Sequence, residues 1–348
     1  LDAATQAHGL ATSLGVVSET GVAGLTLSGG MGWLRRSHGL SCDNLLAAQV
    51  VTADGDVRMA TEDSEVDLLW ALRGGGGNFG VVTSFGFALH PVGPDVFFCF
   101  IFYPGQIAAD VLEACIAYMA EAPDEVSPVS FLGRVPAAEA FPPEWHGKPF
   151  VAVAGMYVGD PAQGERVFGP LRTLGSPIAD LSGTMAFVEA QKVLDEDYPN
   201  GLRYYWKSIE LQGLGADAIA TLMSSAAEMP SGASTIDIWF HGGAMSRVAP
   251  EATAFGDRSA PILIGVEANW DDPTADEDNI AWARRCIEDL RAFSSGGSYL
   301  NFAGFLEDRE QLLRAAYGAN YDRLVAVKTT YDPENVFRIN QNIPPAAA

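Results

Sequence analysis

Between residues 261 and 270 the chain alternates. Ile262, Ile264, Val266 and Ala268 share one face of a two-residue repeat, and Leu263, Gly265, Glu267 and Asn269 share the other. This predicts a strand with one apolar side and one mixed side. Residues 96–103, 150–158, 203–211 and 235–241 read as further strands. Ile107, Val111, Leu112, Cys115 and Met119 recur at helical spacing, predicting a helix over 107–120. Segments 164–174 and 278–293 read as helices too, the latter with an acidic start. Together they predict an α+β unit, an antiparallel sheet with helices on one side. Tyr204, Tyr205, Trp206, Trp239 and Phe240 fall on its strands. They form either a stacking platform for a ring-bearing substrate or ordinary core, and core is the expectation for each taken singly.

The first ninety residues have a different texture. Gly29-Gly30-Met31-Gly32 and the run Gly74 to Gly77 with Gly80 bracket a hairpin, strand 45–53 turning at Asp54-Gly55. Such glycine density serves positive φ, or a flat or phosphorylated group that approaches the backbone closely. A flexible loop is the alternative, but apolar segments around Leu25, Leu27, Val81 and Val82 pin both clusters. Gly75, Gly77 and Gly80 fit G-x-G-x-x-G. That fingerprint needs a strand before it and a helix after it. Here residues 67–72 read as helix before the glycines, and 81–89 as strand after them. A nicotinamide-type Rossmann site is therefore excluded, and a cofactor backbone near the glycines remains the expectation. Residues 3–14 read as one helix with Asp2 as its cap.

Composition narrows the partners. With 348 residues, 48% of them hydrophobic, the chain can bury one large core or two interlocked ones. Its net charge of −23 opposes nucleic acid and anionic membranes. No apolar run reaches the length of a membrane helix. Cys42, Cys99, Cys115 and Cys286 lack metal-site spacing, so no metal is expected. A cytoplasmic location is slightly favoured, with a processed leader left open because Leu1 is not an initiator Met.

Three stretches resemble, in order, the berberine-bridge-enzyme-like FAD-linked oxidases of the vanillyl-alcohol-oxidase, or PCMH-type FAD-binding, fold. They are GLTLSGGMGWLRRSHGLSCDNL from Gly24, DLLWALRGGGGNFGVVTSF from Asp67, and NYDRLVAVKTTYDPENVFRINQNIPP from Asn320. The resemblance implies the second half of an FAD-binding domain at 1–93, a substrate domain at 94–300 and a return to the FAD domain at 301–348. The family's N-terminal sub-domain, with its pyrophosphate loop and often a flavin-linked histidine, has no counterpart in these residues. Three accounts stay open: a fragment, a partner chain supplying that half, or a degenerate protein. Val17 aligns with a cysteine that some relatives bond to flavin, so no cysteinyl link is expected.

The same resemblance assigns FAD to Gly21, Gly24, Gly29, Gly30, Gly32, Gly76, Gly77, Asn78, Gly80, Val81, Val82, Asn320, Asn340 and Asn342. Gln341 belongs to the same amide-rich segment. Tyr317 and Tyr299 are the first catalytic candidates. An unperturbed tyrosine titrates near ~10 and serves as a base only where positive charge or hydrogen bonds lower that value. Glu267 and His38 follow. The family's base position falls on Gly265; Glu267 lies further along the same face, brought in by a bulge or else merely solvated. His38 faces flavin or substrate, or is a polar loop residue. The implied activity is hydride transfer from an alcohol carbon of a sugar or cyclic natural product to flavin N5, with O2 as acceptor. Oxidative ring closure and a flavin-free, non-catalytic remnant are the alternatives.

Overall fold

The computed structural model describes residues 1–304, 309–339 and 341–347. Its largest element is an eight-stranded sheet. Along the main path the strands run Gly183–Ala186, Asp95–Pro104, Pro149–Tyr157, Val126–Arg134, Thr235–Phe240, Ile262–Trp270 and Arg203–Leu211, every neighbour antiparallel. Alternation sorts the side chains. Ile262, Ile264, Val266 and Ala268 join Ile236, Ile238 and Ile209 beneath the helices Ala108–Met119, Ala216–Ala227 and Asp276–Leu290. The opposite face carries Phe98, Phe131, Trp239 and Leu263, and it packs on Trp33, Leu34 and Leu40. The five aromatics divide the same way. Tyr205 and Phe240 enter the helix-side core, while Trp206 and Trp239 face a cavity. Tyr204 donates its hydroxyl proton to the Pro199 carbonyl, at the rim.

The register around Ile262–Trp270 is unbroken on both sides. Gly265 lies opposite Asp237 and Ser208, and Glu267 opposite Thr235 and Trp206. No bulge re-aims Glu267; simple alternation puts it on the cavity face. It is also not solvated, with 2% of its surface exposed.

One element departs from the sequence reading, and two more have no counterpart in it. The N-terminal helix is only Asp2–Gln6, and Leu1 rather than Asp2 is its capping residue. Gly9, at φ +67°, turns the chain so that Leu10–Ala11 pairs with His90–Pro91. Val126–Arg134 is a central strand although Pro128 and Gly133 read as breakers and Ser127 and Ser130 as polar. Tertiary pairing on both edges overrides local propensity there. Ala216–Ala227 is a helix rich in small residues, with a weak periodic signal.

The smaller layer is a three-stranded sheet, with Leu45–Val51 between Val57–Ala60 and Val81–Phe87. Helices Val66–Leu72 and Tyr321–Tyr331 pack with it around Leu69, Leu72, Phe79 and Leu324. The sequence also predicts a helix over 307–328 split at Gly318, of which residues 307 and 308 lie outside the described residues. It appears as Arg309–Tyr317 and Tyr321–Tyr331, with the break at Gly318, φ +49°. The fully buried Lys328 ammonium donates to Asp332 Oδ2 at 2.5 Å, to the Asn78 carbonyl at 2.8 Å and to the Phe337 carbonyl at 2.8 Å. One amine thus ties the glycine loop to the C-terminal tail.

No helix among the described residues is long and apolar enough to cross a membrane. Nor does any group of three His, Cys, Asp or Glu among them form a metal cluster, and all four cysteines are buried free thiols.

Candidate active site

Two cavities meet at Asn301, which lines both. The first has a volume of 540 Å³ and is walled by Gly24, Ser28, Gly76, Gly77, Asn78, Tyr317 and Gln341. Gly76 stands at φ +76°, and a Cβ there would lie 3.3 Å from Asn78 Nδ2, with Ser28 Oγ and the Tyr317 hydroxyl at 3.7 Å and 3.9 Å. No Cβ clash limits Gly24, which has open space beside it. The Tyr317 hydroxyl is buried without a hydrogen-bond partner, and so is Asn342 Oδ1. A glycine-walled slot edged by the unpaired Tyr317 hydroxyl fits a flat ring with hydrogen-bonding edges, which is the shape of a flavin.

The other assigned positions separate by packing. A Cβ on Gly29 would lie 2.6 Å from the Phe255 ring, one on Gly30 would lie 2.3 Å from Ser41 Oγ, and one on Gly32 would strike the Leu14 carbonyl. Gly80 is closed off in the same way by Val50 and Val51. These four glycines serve the protein's own close contacts, not the cavity wall. Val81 is exposed and Val82 packs on the small-sheet core. Gly21 sits exposed at the start of helix Val22–Leu27. Asn78 is held on every side: Nδ2 donates to the Gly75 and Gln341 carbonyls, and Oδ1 accepts from the Ile343 amide. Asn320 points elsewhere, donating to the carbonyls of Pro250 and Thr253. Asn340 lies outside the described residues.

The second cavity, of 190 Å³, is lined by Trp206, Trp239, Phe302, Tyr198, Asp237 and Glu267, with Tyr299 and Val17. Tyr198 donates to Glu267 Oε2 at 2.7 Å. Asp237 is 1% exposed, and no protein N–H or O–H reaches either of its oxygens. Burial pushes the Asp237 carboxyl well up, and the negative charge of Glu267 pushes it further. Burial also raises Glu267, to about 7, with the hydrogen bond from the Tyr198 phenol working against the rise. The Tyr198 phenol is pushed well up by burial and then by the Glu267 charge. Both carboxyls are held up by burial, so the pair keeps at least one proton near neutral pH.

This redistributes the predicted roles. Burial alone raises Tyr317, so its phenol holds its proton firmly in this structure. The Tyr299 oxygen accepts from the Gly30 amide at 3.1 Å, the Met31 amide at 3.2 Å and Asn301 Nδ2 at 2.8 Å. Burial still holds its proton on. His38 faces neither cavity. Its ring stacks on His90 at 4.0 Å, and burial together with His90 lowers it to about 4. Sequence reasoning missed Asp237 and Tyr198. Asp237 had a visible signal, a lone charge within the apolar strand Thr235–Phe240. Tyr198 had none, since it follows an acidic turn that reads as surface.

A pair of buried carboxyls thus adjoins a glycine-walled slot that can take a flat ring. Residues 1–61 match the FAD binding domain family, and residues 298–344 match the family described as berberine and berberine like. An FAD-linked oxidoreductase of Dictyostelium discoideum is 31% identical across 99% of this chain and 73% of its own length. Xylooligosaccharide oxidase of Thermothelomyces thermophilus is 28% identical over 97% of this chain and 70% of its own. Among solved structures, 6-hydroxy-D-nicotine oxidase of Arthrobacter nicotinovorans superposes with a TM-score of 0.86 over 99% of this chain and 76% of that one, at 28% identity. The chain belongs to the berberine-bridge-enzyme-like FAD-linked oxidoreductases.

Proposed function

We propose that the protein oxidises an alcohol carbon of a small cyclic substrate, a sugar or a ring-bearing natural product, with Glu267 as the base. FAD, when bound in the glycine-walled slot, supplies the hydride acceptor, and O2 is the proposed final acceptor. Gly76, Gly77, Tyr317, Gln341 and Asn342 hold and orient it. The substrate ring lies against the cluster of Trp206, Trp239 and Phe302, whose rings pack on one another. Glu267 takes the hydroxyl proton as the carbon gives up its C–H electron pair, leaving a carbonyl product. Neutral Asp237 donates to the Glu267 carboxylate and keeps it oriented. Tyr299, which burial keeps protonated, donates its O–H to the substrate oxygen in this reading. Val17 offers no thiol for a covalent link on this side.

The observation that supports this reading best is the buried Asp237–Glu267 pair, adjoining the slot at Asn301. The relatives named as nicotine and xylooligosaccharide oxidases support a small cyclic substrate class without choosing within it. The test is anaerobic reduction of the FAD-loaded protein by a panel of cyclic alcohols. Glu267→Gln should keep the flavin spectrum and slow reduction by about 10²–10⁴-fold. An unchanged rate would remove Glu267 from the mechanism.

A further inference from the structure

A third cavity, of 570 Å³, lies on the same sheet face and abuts the carboxyl cavity at Phe131, Leu194 and Tyr198, which line both. Its floor and sides are Phe100, Phe102, Phe131, Phe141 and Phe150. These rings do not form a flat platform. Phe141 and Phe150 stand edge-on to Phe102, at 4.8 Å and 5.1 Å between centroids, and Phe100 tilts against it at 4.6 Å. Polar side chains stand at its edges: Arg134 is half-buried, Glu196 and Asp197 are exposed, and Tyr198, Ser234 and Thr235 bring hydroxyls, of which Tyr198 already donates to Glu267 and Ser234 to the Asn269 carbonyl. The Asn269 amide is already engaged, accepting from the Trp206 indole and donating to the Ala233 carbonyl.

Volume points the same way. At 190 Å³ the carboxyl cavity is smaller than the roughly 300–1,000 Å³ of ordinary small-molecule sites, and it holds little more than the reacting ring. Sugar subsites need donors and acceptors for each hydroxyl, because an unpaired hydroxyl among phenylalanines loses its water without compensation. An apolar ring system loses nothing there and gains by burial.

We propose that the substrate is a two-part molecule: its alcohol-bearing ring occupies the Asp237–Glu267 cavity, and an apolar ring-bearing tail fills the phenylalanine cavity beyond Tyr198. This rests on the assignment of the carboxyl cavity as the reaction site, and it selects hydrophobic polycyclic alcohols over oligosaccharides. Phe141 and Phe131 are then specificity-determining residues, with Tyr198 as the post between head and tail.

The test is calorimetric binding of three probes to the full chain: benzyl alcohol, para-phenylbenzyl alcohol and cellobiose. The two-ring alcohol should bind about tenfold or more tighter than benzyl alcohol, the effect of burying one added ring. Ala140, exposed at the cavity rim, gives a variant that spares the sheet. Ala140→Trp should erase the preference for two rings and leave benzyl alcohol unchanged. Ala152→Trp fills the cavity from its floor and should do the same; if it does not fold, Ala140→Trp still decides. Equal affinity for both aromatic alcohols, an unaffected preference in Ala140→Trp, or tighter binding of cellobiose than of either would overturn the proposal. Binding is read without redox chemistry. Tail-dependent binding with no flavin reduction therefore counts against the alcohol-oxidation reading alone, and reduction without tail dependence counts against the two-part substrate alone.

Discussion

The two faces of the large sheet are made by the same strands, yet they do opposite work. Toward the helices, Ile236, Ile238, Ile264 and Val266 meet a continuous apolar core. Toward the cavities, the very next residues are Asp237, Trp239 and Glu267. Packing on the first face holds the strands at fixed spacing. That rigidity is what lets the second face keep two carboxyls buried side by side, an arrangement that costs free energy instead of supplying it. A stable scaffold and a strained site are thus separated by one residue along each strand.

The widest break in this comparison comes from moving a single position along one strand. Ile264→Ala should destabilise the fold by about 2–5 kcal/mol in chemical denaturation, with flavin reduction kinetics unchanged while the protein stays folded. Glu267→Gln should do the reverse, holding or raising stability while reduction falls. If Ile264→Ala alters the chemistry as much as the stability, the two faces are not independent.

A smaller effect separates the two carboxyls. Asp237→Asn keeps a donor beside Glu267, so the pH profile of flavin reduction should retain its midpoint near 7. Asp237→Ala removes the donor that favours the Glu267 carboxylate, and the midpoint should move up. A midpoint that falls in Asp237→Asn would mean that Asp237 carries the charge and Glu267 the proton.

The smallest effect is on stability. Both carboxyls are raised in the folded protein, Glu267 to about 7 from an ordinary 4.5. The folded state therefore holds more protons than the unfolded one across that window, and stability should fall as pH rises from about 4.5 to 7. Glu210, raised by burial to about 7, adds a slope of the same sign. Thermal melts across this range should flatten in part in Glu267→Gln; a slope of unchanged size would place its origin in other groups.

Much of this was legible in the chain. Alternation in residues 261–270 put Glu267 and Gly265 on one face without any coordinates, and the glycine run with its helix before and strand after excluded a nicotinamide site. The motif resemblance pointed to FAD. Local pattern was less informative about glycine roles. Gly29, Gly30 and Gly32 read as cofactor contacts, yet Phe255, Ser41 and Leu14 occupy the space beside them. Asn320 read as a flavin ligand, yet it serves two carbonyls of a distant loop.

The sequence by itself determined which side chains share a strand face and where the backbone must turn, because both follow from φ/ψ preferences and a two-residue period. Only the tertiary structure decided which strands are neighbours. Asp237 and Glu267 meet because Thr235–Phe240 pairs with Ile262–Trp270 in one register, placing Asp237 across from Gly265, whose missing side chain leaves room beside it. Tyr299 reaches the amides of Gly30 and Met31 across more than half the chain for the same reason. Contacts of that separation carry no local signal, because their geometry is set by the packing of layers and not by neighbours in sequence.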